Sequence, residues 1–241
     1  MSESGTGAGT PPSGARSRPM TSRGLRRERE ILDAAAEVFA RKGYSAANVE
    51  DVASSVGMLK GSLYYYVDSK EDLLYRLTKT IHQDALDTLE STRSLGGSAE
   101  DRLVALTRLH FEKLTLNIAY TRVFYHEFRH LTGDRYVEIA KLRETYEHYV
   151  QGLVEEGQAA GVFCRRRDAH LMMIAILTLL NSVQQWYRPD GGTDIAHLTD
   201  EYVEFVVGGL RCSVATTCAC EPETDRGPTR TMTDPEMEDE P

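Results

Sequence analysis

The chain has 241 residues, 41% hydrophobic and 27% charged, with four Cys and one Trp. This balance excludes a collagen, a disulfide scaffold and a wholly disordered chain. Its longest apolar run, Leu171 to Leu180 interrupted only by Thr178, is half of the roughly 20 residues that a membrane-spanning helix needs. The Ser/Gly/Thr/Pro-rich start carries no apolar signal-peptide core, so the expectation is a cytoplasmic protein with no membrane partner.

The net charge of −9 is unevenly spread. Residues 1–30 hold six arginines against three acids, whereas the chain from Ser213 onward holds two arginines against eight acids. A polyanionic partner would therefore meet the N-terminal end. Cys164 stands alone and Cys212, Cys218 and Cys220 cluster near the end, a spacing that fits neither a disulfide framework nor a two-plus-two zinc pattern.

In chain order, residues 1–21 read as a disordered arm. A first helix runs from about Ser22 to Lys42, burying Ile31, Ala35, Val38 and Phe39, and ends in Arg41-Lys42-Gly43, two cations and then a terminating glycine. Asn48 caps a short second helix whose Val49, Val52, Ala53 and Val56 form an apolar stripe, and Gly57 stops it. A third covers about Leu59 to Tyr66, with Leu59, Leu63 and Val67 as its inner face. A fourth opens at Ser69-Lys70-Glu71-Asp72, a capping-box-like start, and reaches about Ser91. Gly96-Gly97 is the best internal boundary. Beyond it the 3.6-residue period places helices at about 99–118, 120–131, 134–160, 168–188 and 194–211. From 214 to 241 the polar, acidic, proline-containing sequence reads as a disordered tail.

Residues 49–66 follow helix-turn-helix grammar. On the outer side, Lys60, Gly61, Ser62, Tyr64 and Tyr65 supply a cation, a point of close approach, a hydroxyl and two phenols. Cations and hydroxyls suit phosphate oxygens, and an aromatic can meet a thymine methyl. Lys70 adds its charge to the open N–H groups of the next helix.

The ordered set Gly43, Asn48, Val52-Ala53, Gly57, Lys60 to Tyr66 and Ser69-Lys70-Glu71 closely resembles the DNA-binding domain of the tetracycline-repressor (TetR) family of bacterial transcription factors. The match spans Ile31 to Leu74, with Gly57-Met58-Leu59-Lys60-Gly61-Ser62-Leu63-Tyr64-Tyr65-Tyr66 as its most specific part. The resemblance implies an all-α fold: a three-helix helix-turn-helix domain at 22–70 followed by a ligand-binding and dimerisation domain at 71–213. It implies that Lys60, Tyr64, Tyr65 and Lys70 bind phosphates, that Ser62 with its neighbours reads bases, and that Asn48 touches the backbone of a double-stranded operator. The chain departs from the family pattern at Leu59, where a Ser or Thr is usual, and at Val67, where a Phe is usual. Arg23, Arg26, Arg27 and Arg29 could add minor-groove or phosphate contacts.

In the second domain the helix at 168–188 is apolar nearly all round in its first half. The helix at 194–211 carries Ile195, Leu198, Tyr202, Phe205, Val206 and Gly209 down one side. Such surfaces need covering. By resemblance they pair as a four-helix bundle in a homodimer that sets two reading heads on a palindromic operator. Aromatics gather at Phe111, Tyr120, Phe124, Tyr125, Phe128, Tyr146, Tyr149 and Trp186, with Glu127, Arg129, Asn181 and Gln184 among them. An apolar cavity with a few directed polar groups suits a small-molecule effector. The candidate lining is Phe111, Phe124, Phe128, Tyr146, Asn181, Gln184 and Trp186. The ending Gln185-Trp186-Tyr187-Arg188-Pro189-Asp190-Gly191-Gly192 and the segment Leu59-x-Gly61-Ser62 resemble a TetR subgroup that controls fatty-acid and sterol-ring breakdown and senses acyl-coenzyme A thioesters.

Two other function classes compete. His126-Glu127-Phe128-Arg129-His130 spells H-E-x-x-H, the helical zinc-hydrolase motif, but no later segment offers a recognisable third ligand. A helical adaptor that binds only protein is the other, and it would show no salt-dependent association with DNA. No catalytic triad and no cofactor-binding glycine loop is legible.

Overall fold

The computed structural model describes residues 22–212, and every regular element among them is helical. The arm at 1–21, the tail at 214–241, and Cys218 and Cys220 lie outside the described residues. The elements are α1 (Ser22–Lys42), α2 (Val49–Ser55), α3 (Lys60–Leu63), α4 (Lys70–Ser94), α5 (Ala99–Leu116), α6 (Ile118–Glu127), a 3-10 turn η1 (Phe128–His130), α7 (Gly133–Ala159), α8 (Ala169–Trp186) and α9 (Ile195–Leu210).

The described residues divide into two compact units, and the division is not one cut along the chain. Residues 22–81 form the first unit together with 117–139; residues 82–116 and 140–212 form the second. α6, η1 and the start of α7 thus belong with the helix-turn-helix.

In the first unit, α1 buries Ile31, Ala35, Ala36, Val38 and Phe39 at helical spacing. It ends at Gly43, whose φ of +77° suits glycine. Asn48 caps α2 through a complete capping box: its side chain accepts the Asp51 N–H at 2.8 Å, and the Asp51 carboxylate accepts the Asn48 N–H at 3.0 Å. Such a cap is worth about 1 kcal/mol, a large share of what holds a seven-residue helix. Gly57, at φ +63°, makes the turn toward α3.

α6 is bolted to α1. Tyr120 donates to Asp33 at 2.7 Å, and Glu127 accepts the backbone N–H of Tyr44 at 3.0 Å. His130 stacks on the Tyr44 ring with centroids 5.0 Å apart. Buried Asp72 accepts from Arg76 at 2.8 Å and Arg135 at 3.0 Å, and Arg76 reaches Glu28 at 2.6 Å. α1, α4 and the start of α7 therefore share one ionic node.

In the second unit, α5 packs against α8 and α9. Its buried face is Leu103, Leu106, Thr107, Phe111 and Leu114, and Phe111 meets Tyr202 edge-on at 4.8 Å. Asp168 and Asp194 cap α8 and α9 through the N–H groups of Leu171 and Ala196. The end of α9 is fastened by the Cys164 N–H to the Leu210 carbonyl at 2.8 Å, and Arg211 pairs with Glu100. No described helix is long and apolar enough to cross a membrane.

Candidate functional site

α3 is a single turn of helix with two opposite characters. Leu63 is fully buried, and Val67, four residues on, is 1% exposed. Burying one such side chain contributes roughly 1.5–3 kcal/mol, which presses this turn onto α2. Lys60, Gly61, Ser62, Tyr64 and Tyr65 are all exposed, Tyr65 at 86%. Tyr65 is thus a large aromatic ring that the fold leaves in solvent.

Leu59 does not share the inner face expected of it. It is the N-cap of α3, gives no side-chain cap and is 81% exposed. The reason is geometric: the turn through Gly57 and Met58 delivers residue 59 in an extended conformation at φ −75°, ψ 145°, before the helical period begins. The helix is accordingly shorter than the span 59–66, closing at Leu63 with turns through Tyr66.

The charged groups of this surface are engaged with one another. Lys60 pairs with Glu50 at 2.8 Å, and Glu50 raises the lysine pKa. Both partners are exposed, where an ion pair contributes little and is readily exchanged for another anion. Lys70 stands differently: its ammonium donates to the carbonyls of Ala47 at 2.7 Å and Ser45 at 3.3 Å and lies 4.3 Å above the Tyr44 ring. It is half-buried and braces the loop between α1 and α2. Asn48 is exposed, its amide oxygen occupied by the cap. Arg27 donates to the Val56 carbonyl at 2.7 Å, clamping α1 to the end of α2.

The candidate effector residues fall in both units. Phe124 and Phe128, 5.3 Å apart, belong to the first unit. Phe111, Tyr146, Asn181, Gln184 and Trp186 belong to the second. Phe111, Tyr146 and Gln184 are buried, Asn181 is half-buried, and Trp186, at the end of α8, is 47% exposed.

A residue that pattern reading missed joins two of these. His110 on α5 lies 3.1 Å from the Tyr146 hydroxyl through Nδ1 and 2.9 Å from Asn181 Oδ1 through Nε2. Three helices, α5, α7 and α8, meet at one imidazole. Burial pushes its pKa down to about 4, with the Asn181 bond opposing the shift, so the ring is neutral at pH 7. The only advance signal was its place on the buried α5 stripe between Leu106 and Leu114.

The H-E-x-x-H residues do not converge. His126 is exposed, while Glu127 accepts from the Tyr44 backbone and lies 3.4 Å from His130. The change from α6 to η1 at Phe128 turns the second histidine off the first one's face. Among the described residues no group of three or more His, Cys, Asp or Glu is arranged to hold a metal ion.

Comparison with known proteins agrees with the α2–α3 geometry. Residues 31–77 match the bacterial regulatory proteins of the tetR family, and residues 96–210 match the tetracyclin repressor-like C-terminal domain. The chain is 27% identical over 185 residues to the HTH-type transcriptional repressor KstR2 of Rhodococcus jostii, covering 76% of this chain and 91% of that one. It is 26% identical over 182 residues to the fatty acid metabolism regulator protein of Bacillus subtilis, covering 75% and 94%. The solved ketosteroid transcriptional regulator KstR2 of Mycobacterium tuberculosis superposes with a TM-score of 0.74 at 25% identity, covering 78% of this chain and 96% of that one. With both of its domains matched and an exposed turn set beside a capped short helix, the chain belongs to the TetR family of DNA-binding transcriptional regulators.

Proposed function

We propose that the protein is a repressor that binds a palindromic double-stranded operator as a homodimer and is released by a small effector. The observation that carries the reading is the outward set on α3: Lys60, Gly61, Ser62, Tyr64 and Tyr65 are exposed above a buried Leu63. In that reading Lys60 exchanges Glu50 for a phosphate, the tyrosines flank it, and Ser62 meets base edges across the open position at Gly61. Lys70 contributes by fixing the α1–α2 loop through two of its N–H groups, and its third is left for a phosphate.

The homodimer is supported by what α8 and α9 leave uncovered. Leu171 (57%), Ile174 (44%) and Phe205 (70%) are large apolar side chains exposed on these helices. A second copy would bury them. One α3 makes too few contacts for useful affinity, so a symmetric pair on two half-sites is the economical solution.

For the effector we propose an acyl-coenzyme A-like molecule. The support is the name of the Bacillus subtilis relative, a fatty acid metabolism regulator, and the name of the solved ketosteroid regulator. The aromatic and polar lining expected of such a site falls to Phe111, Tyr146, Asn181 and Gln184 of the second unit. Release requires that the effector bind one conformation better than the other. α4 runs from the first unit into the second, the chain crossing at residues 81/82, and is the element proposed to carry that difference.

The test is selection from a random-sequence pool of duplexes by the purified protein. The reading predicts enrichment of an inverted repeat whose half-sites lie about one helical turn, roughly 34 Å, or a multiple apart. Failure to enrich any repeat would overturn it.

A further inference from the structure

We infer that Tyr146, His110 and Asn181 form a directed hydrogen-bond chain that offers the Asn181 amide N–H to an uncharged carbonyl-type oxygen of the effector. The inference rests on the reading that the second unit holds a small-molecule effector, and adds which part of that molecule is recognised.

The direction of the chain follows from what each group can do. Asn181 Oδ1 only accepts, so the His110 Nε2 that meets it at 2.9 Å carries the proton. A neutral imidazole then has a bare Nδ1, and the Tyr146 hydroxyl 3.1 Å away donates to it. The donors run from Tyr146 to His110 to Asn181, and the structure gives the Asn181 amide nitrogen no partner among the described residues. Each bond polarises the next, strengthening the terminal donor.

Two features point to a ligand and not to a sealed core. Tyr146 is buried, and Asn181 at the far end of the chain is only half-buried; the chain ends at an open face. Neither His110 nor Asn181 is bonded to a cation among the described residues: their partners are the Tyr146 hydroxyl and each other. A carboxylate brought to Asn181 would lose its water without gaining a cation, a costly transfer. A ketone, ester or thioester oxygen loses far less and needs one good donor. The same logic assigns any phosphate of the effector to a place away from this chain.

The experiment uses matched probes on the full-length protein. Hexanoyl-coenzyme A and S-hexyl-coenzyme A differ only by the carbonyl. The expected result is that the thioester binds about five- to tenfold more tightly, the worth of one hydrogen bond. In Asn181→Leu, of the same branched shape but without the amide, the ratio falls to about one, and in Tyr146→Phe it falls part of the way. Equal binding of the two probes by the native protein would overturn the inference while leaving the effector class standing. Binding of neither would overturn the effector class, and 2-nonanone against its alkene isostere 2-methyl-1-nonene then decides the inference: a preference for the ketone supports it, and none overturns it. An independent readout is the 15N spectrum of the imidazole. Protonated Nε2 with bare Nδ1 at pH 7 is expected; the reverse tautomer would reverse the chain and contradict the proposal.

Discussion

The two units of the molecule place their informative side chains on opposite sides of the surface. In the first, Leu63 and Val67 are sealed while Tyr65 stands 86% exposed, so the candidate contacts are those for which folding found no use. In the second, His110 sits among three helices and its chemistry is set by depth, which keeps it neutral. A surface that waits for a polyanion tolerates charge and water, because exposed ion pairs such as Lys60 with Glu50 exchange at little cost. A site that waits for an apolar molecule must settle its polar groups internally and leave one donor over. The contrast teaches that exposure is the signal to look for in the first unit and incomplete burial in the second.

The largest expected effect belongs to the uncovered face of the second unit. Phe205→Glu should put an uncompensated charge into the proposed dimer interface at a cost of at least about 3 kcal/mol. The mass in solution should then shift to that of one chain, and operator affinity should fall more than about a hundredfold. An unchanged dimer would remove α9 from the interface.

Next comes the imidazole of His110. His110 has a folded pKa of about 4 against an ordinary 6.5, so between those values the unfolded chain binds the proton and the folded one does not. Its contribution is intact above pH 6.5 and is lost as the pH falls toward 4, by up to about 3 kcal/mol. Denaturation midpoints of His110→Gln should be correspondingly less sensitive across that window. Identical pH profiles would show that the ring is not held neutral.

Two glycines differ in the space around them. A Cβ on Gly157 would lie 2.1 Å from the Phe163 ring, whereas one on Gly61 meets nothing within 4 Å. Gly157→Ala should cost about 2 kcal/mol in thermal melts. Gly61→Ala should raise stability slightly, by up to about 1 kcal/mol, as the better helix former, and weaken operator binding by crowding the approach to the duplex. Smallest in stability is Lys60→Ala, expected to leave melting within about 0.5 kcal/mol. It should flatten the dependence of log affinity on log salt by about 2 per dimer, one phosphate from each copy.

Helix positions were legible because caps and periodicity agree locally: Asn48 with Asp51, Gly43 after two cations, Leu103 to Leu114 on one face. The outward face of α3 was legible in part, because Leu63 and Val67 claim the inner side four residues apart. What escaped the sequence was set at long range. Leu59 is apolar, and nothing local says that the turn at Gly57 aims it outward. His110 finds its partners 36 and 71 residues away. The grouping of 117–139 with the helix-turn-helix depends on Tyr120 reaching Asp33 and Glu127 reaching the Tyr44 N–H, 87 and 83 residues apart. H-E-x-x-H carried the opposite hazard: a local match that the change to η1 at Phe128 undoes.

The most direct test of the claim that α3 presents a reading surface is the operator affinity of Tyr65→Ala, measured beside its melting curve and its mass in solution. Affinity should drop about a hundredfold while stability and assembly match the native protein. Native affinity in that variant would contradict the account, because the most exposed aromatic on the turn would then have no part in holding DNA.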